Sequence, residues 1–142
     1  MGPETRRMPT YSFATIDVPG AVSTHASAIN DAGQIVGFYT DAFGREHGFL
    51  DAGGSFIPFD VPGAVYTNAL GINDAGQIVG LYADSNGREH GFLDTGGSFI
   101  PFDVPGAVYT EASGINDAGQ VVGFNDDFVG HAHGFSGTPL LL

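Results

Sequence analysis

The sequence contains no cysteine, no tryptophan and no lysine. Without cysteine, disulfides, thiolate metal sites and cysteine nucleophiles are excluded, although the compartment stays open. The fixed positive charges are Arg6, Arg7, Arg45 and Arg88, set against 16 carboxylates for a formal net charge of −12. A surface this acidic repels phosphate backbones and anionic lipid, so neither nucleic acid nor a membrane is expected as a partner. No stretch is long and apolar enough to span a bilayer. Residues 1–10 hold no apolar run of the kind a signal peptide needs, and residues 1–11 are expected to form a mobile tail. There is no Gly-x-Ser-x-Gly elbow and no phosphate-binding loop, and no cofactor is expected. Helical periodicity and helix caps are absent as well.

Glycine, by contrast, is abundant at 23 residues, with 8 prolines. In a chain that is 42% hydrophobic, such an excess points to a packed fold built from many tight turns. The 142 residues suffice for one ordinary domain. Internal repetition dominates. Ile-Asn-Asp begins at Ile29, Ile72 and Ile115, Asp-Val-Pro-Gly at Asp17, Asp60 and Asp103, and His-Gly-Phe at His47, His90 and His133, each series spaced by 43 residues. Residues 12–54 and 55–97 match at 31 of 43 positions without a gap. Three units follow: 12–54, 55–97 and 98–142.

Each unit predicts four short strands separated by turn residues. In the second these are Ser55–Val61, Thr67–Asn73, Gln77–Tyr82 and Glu89–Asp94, with Pro62-Gly63, Asp74-Ala-Gly76 and Asp84–Gly87 as turns. Ile78 points to one face of its strand and Val79 and Leu81 to the other, so both faces are buried, as in a sheet lying between two others. A period near 40–45 residues with four strands is that of a propeller blade, roughly as in WD40 repeats. The units resemble the HAF-type repeats of bacteria. The likeness rests on Gly71–Gly80 (Gly-Ile-Asn-Asp-Ala-Gly-Gln-Ile-Val-Gly) and on His90–Leu93, where that family has His-Ala-Phe. It extends over residues 12–137, and the last unit departs from it with His131-Ala-His-Gly-Phe135. The resemblance implies repeat architecture and an extracellular setting, and supplies no reaction.

The expected fold is therefore an all-β propeller of three four-stranded blades per chain. Closed propellers have about 4–8 blades, so three need a partner. Two copies give six blades, and a homodimer is the expected partner. If the strand around Ile72 is innermost, Ser12–Val18 is an outermost strand and His131–Phe135 a third strand. The missing outer strand of the last blade would then come from the start of another copy. Leu140–Leu142 are the rival closing strand, and a single-chain barrel or prism the rival fold.

His47, His90 and His133 recur in every unit, which argues for a structural role over a metal or catalytic ring, and no metal site is expected. Asp84–Glu89 resembles a calcium loop, but its counterpart Asp41–Gly44 lacks the Asn. Where the units differ, side chains are free to meet a ligand. The differences fall at Ser23/Tyr66/Tyr109 and His25/Asn68/Glu111, in connections at one end of the blades. The candidate ligand-binding residues are accordingly His25, Tyr66, Asn68, Tyr109 and Glu111, with carbohydrate or another small polar molecule as ligand. Two alternatives stand beside a binding module: a hydrolase or lyase using His25 and Glu111, and a purely structural self-assembling repeat.

Overall fold

A computed structural model describes residues 8–140; residues 1–7 of the expected tail and the last two of Leu140–Leu142 lie outside the described residues. Eleven strands form three antiparallel sheets. The first holds β1 (Ser23–Ile29), β2 (Ile35–Thr40), β3 (Glu46–Ala52) and β4 (Ser55–Phe59). The second holds β5 (Tyr66–Ile72), β6 (Ile78–Ala83), β7 (Glu89–Thr95) and β8 (Ser98–Phe102). The third holds β9 (Tyr109–Ile115), β10 (Val121–Asp126) and β11 (Ala132–Gly137). Within each sheet strands follow in chain order, an up-and-down meander. No helix occurs among the described residues.

The sheets are out of phase with the repeats. Each of the first two takes its fourth strand from the start of the next unit. The opening strand β5 neighbours both β1 and β9, which makes these the inner strands of a propeller-like array, with β4 and β8 at the outer edge. The expected strand Ser12–Val18 does not form in the single chain: residues 8–18 join no sheet. Extended backbone without a ladder partner has nothing to hold it.

Burial on both faces of the second strand carries the stacking. Ile78 packs toward the first sheet with Val36, Val61, Ala69, Ile72 and Phe92. Val79 packs toward the third with Ala112 and Val121. The outermost faces lack such cover. Val122 is 52% exposed where Val79 is fully buried, and Ile29 is 64% exposed where Ile72 is 7%. The glycine of each second strand sits under a backbone: a Cβ on Gly80 would collide with the Asn68 carbonyl and the Phe92 ring. This crossing is where β5 shifts register, between Ala69 and Gly71.

Candidate functional site

The meander puts the β2–β3 and β4–β5 connections at one end of the sheets, here the upper end, and the β1–β2 and β3–β4 turns at the lower end. The two ends are built differently.

At the upper end, Tyr66 and Asn68 open β5 and face the start of β3 in the neighbouring sheet. Together with Gly44, Arg45, Glu46, Val65, Leu81 and Glu89 they line a cleft of ≈ 480 Å³ between the first two sheets. Asn68 donates its amide to the Glu46 carboxylate across the gap (2.8 Å) and is only 9% exposed. It forms part of the cleft wall. Tyr66 has its pKa pushed up to about 12 by burial, by its hydrogen bond to Glu89 and by the charges of Glu89 and Glu46. It is therefore a neutral donor at any ordinary pH. The Arg45 guanidinium reaches the Val65 carbonyl (3.4 Å).

The other candidates are placed elsewhere along the same end. Tyr109 donates to Glu111 at 2.7 Å and stacks on Phe124 with centroids 5.4 Å apart. Its pKa is raised by burial first, then by that bond and the carboxylates nearby. His25 stacks on Phe38 of β2 at 4.7 Å. His25, the Tyr66–Asn68 pair and the Tyr109–Glu111 pair thus belong to three different sheets, and it is Tyr66 and Asn68 that share a cleft. Arg45, Glu46 and Glu89 complete that cleft and were missed in the sequence because the first two units agree there (Arg45/Arg88, Glu46/Glu89), although the third has His131 and Ala132.

The repeated histidines sit near the same end, His47 and His90 each between two carboxylates. His47 places Nε2 2.8 Å from Asp41 and Nδ1 2.9 Å from Asp60. His90 repeats this with Asp84 and Asp103, both at 2.8 Å. Carboxylates only accept hydrogen bonds, so a ring held at both nitrogens must donate from both, which is the imidazolium form. Burial of the His47 ring opposes that charge, but the bonds to Asp41 and Asp60 outweigh it and the pKa is raised. In His90 the bond to Asp84 leads, and the shift has the same sign. The Asp41 and Asp84 carboxyls are held below their usual range, chiefly by the same histidines. Asp84 also accepts from the Asn86 and Arg88 backbone through Oδ1, so the stretch that resembles a calcium loop is a turn closed on its own amides. His133 bonds Asp127 through Nε2 at 2.9 Å, and among the described residues no carboxylate meets its Nδ1. Its side chain is 54% exposed, against 20% for His47.

At the lower end the Asn-Asp-Ala-Gly turns link sheet to sheet. The Asp31 amide donates to the Asp74 carboxylate (2.8 Å), and the Asp74 amide to Asp117 (2.8 Å). Beside them Asn30 donates to the Asn73 carbonyl (3.2 Å) and Asn73 to that of Asn116 (3.0 Å). The glycines Gly33, Gly76 and Gly119 close these turns at φ near +80°.

Stacked meanders of three or four strands with inner strands side by side define a propeller-like all-β repeat protein. Comparison with protein-family models, with curated proteins and with solved structures finds no match for this chain.

Proposed function

We propose that two copies of this chain close into a six-bladed propeller, a non-catalytic module that holds a small polar ligand, carbohydrate foremost, in the upper cleft. The cleft between the first two sheets carries this reading. It gathers a phenol, an amide, a guanidinium and two carboxylates around a concave space of ≈ 480 Å³. Ligand sites commonly combine an apolar wall with a few convergent polar groups. Here Val65, Leu81 and the Tyr66 ring supply the apolar wall, and Arg45 and Glu46 supply the donor and acceptor a hydroxylated ligand needs. The exposed outer faces of the first and third sheets support closure, since each resembles a face that is buried elsewhere in the stack. The likeness to HAF-type repeats supports an extracellular setting.

A glycan array followed by titration calorimetry tests the binding. Wild type is expected to bind at least one neutral glycan. Arg45→Ala is expected to lose that binding roughly tenfold or more while melting as wild type does. No binding across the array, or binding indifferent to Arg45→Ala and Tyr66→Ala, overturns the ligand assignment. Native mass spectrometry tests the ring: a folded monomer overturns it.

A further inference from the structure

Among the described residues, the third sheet lacks three partners that the first two possess, and the first of those residues carry all three. β3 and β7 are each covered by an outer strand, β4 and β8, whereas no strand among the described residues pairs with the outer edge of β11. His47 and His90 are each held by a second carboxylate just beyond that outer strand, whereas His133 is not. Phe49 and Phe92 are fully buried under rings of the outer strand, Phe56 and Phe99, each 5.7 Å away, whereas Phe135 stays half-exposed. Residues 12–18 align with 55–61 at an offset of 43, which sets Phe13 where Phe56 stands and Asp17 where Asp60 stands. Yet Phe13 is 94% exposed and belongs to no sheet.

Residues 12–18 cannot serve their own chain's third sheet through the contacts they already make. Val18 is buried at the first sheet, and its amide donates to Thr24 Oγ1 (3.1 Å), as Val61 does to Thr67 (3.0 Å). In the second sheet that bond belongs to a residue whose preceding strand lies on the previous sheet. The anchor therefore fixes residues 12–16 on the side of the first sheet where a preceding sheet would stand. A third sheet of another copy fits there.

We infer that Asp17 of one copy completes the histidine clamp of His133 in a second copy, with Ser12–Ile16 added as the fourth strand on β11. This rests on the ring reading above and specifies its seam. The register follows from the first sheet, where Gly48 faces Phe59 and Leu50 faces Ile57. Transposed by the repeat, Ile16 faces Gly134 and Ala14 faces Ser136 of the second copy. The lower end adds an independent match. Among the described residues the Asp117 amide meets no carboxylate like those that Asp31 and Asp74 find in the next sheet, and the Asp31 carboxylate receives no such amide. A strand, a clamp and a turn contact are thus all met by one occupant, and each is an interaction this chain already makes twice within itself.

Because the sequence has no cysteine, the seam can be read by thiol crosslinking. A chain carrying both Ala14→Cys and Ser136→Cys is treated with a short bifunctional thiol reagent and resolved on a denaturing gel. A covalent dimer is expected. A chain carrying Ala14→Cys with Ala118→Cys, at the lower turn, is expected to stay uncrosslinked. A crosslinked monomer overturns the inference, because the strand then closes on its own chain. A dimer in native mass spectrometry that fails to crosslink overturns the seam but leaves the ring, with Leu140–Leu142 as the closing segment. A monomer removes both. Asp17→Asn and His133→Gln are each expected to weaken dimerisation at least about tenfold, and together no more than either alone. An unchanged dissociation constant in either overturns the clamp.

Discussion

The histidine clamps give the fold a pH dependence whose direction is set by both partners. His47 and His90 have pKa values raised above 6.5, so their contribution is complete below that value and is lost as pH rises through the folded pKa. Asp41 and Asp84 lie below 3.8, so theirs is present above it and is lost as pH falls through the depressed value. The clamps are thus fully effective between roughly pH 4 and pH 6.5. Asp94 has the same sign but acts from lower pH, because its contribution is lost as pH rises from the ordinary 3.8 through its raised value. Burial raises its pKa, and its Oδ1 is buried without a partner. The melting temperature is expected to fall between about pH 6 and pH 8. His47→Gln with His90→Gln should flatten that decline, and calorimetric melts across the range check it. A double variant as pH-sensitive as wild type would place the dependence outside the two clamps.

Gly80 makes a different demand at the same scale. Its missing Cβ leaves room for the Asn68 carbonyl and the Phe92 ring. Gly80→Ala forces backbone apart and is expected to cost about 3 kcal/mol, read by urea unfolding. Gly87→Ala, at φ +82° with open space around it, strains only a turn and is expected to cost about 1 kcal/mol.

Among the elements, the second strand of each sheet was the most legible from sequence. Ile78, Val79 and Leu81 announced two buried faces, and the structure buries each of them. The turns at Asp74-Ala-Gly76 and Asp84–Gly87 were legible too, since few residues other than Gly adopt positive φ there. The turn-to-turn bonds were not. Asp74 and Asn73 bond residues 43 positions away, and no local pattern encodes a partner at that distance. The cleft was half legible for a related reason. Variation marked Tyr66 and Asn68, but Arg45, Glu46 and Glu89 look structural within a unit and become a site only where two sheets meet. The predicted span Ser12–Val18 failed as a strand in the single chain because a strand is a property of a pair.

Equivalent positions on successive sheets also separate stacking from closure. Val79→Ala removes a fully buried side chain between the second and third sheets and is expected to cost about 2 kcal/mol in any oligomeric state. Val122 holds the same place on the open face. Val122→Asp should leave a separated chain's β-sheet circular dichroism intact and abolish the dimer, because a charge would be buried in the seam. Sedimentation of the two variants distinguishes these outcomes. A Val122→Asp chain that still dimerises would move the interface off that face.

For the whole molecule, the lower-end turns fix more than proximity. The Asp31 turn gives its amide to the second sheet, and the Asp74 turn takes that amide and gives its own to the third. The stack therefore has a sense of direction, like links that hook only one way. A first sheet can follow a third, but two third sheets cannot be joined by these bonds, nor two first sheets. Copies that meet through this code can only run head to tail. Whether they circle back or grow as a strand of beads is then decided by the angle between neighbouring sheets, and by nothing in the hooks themselves.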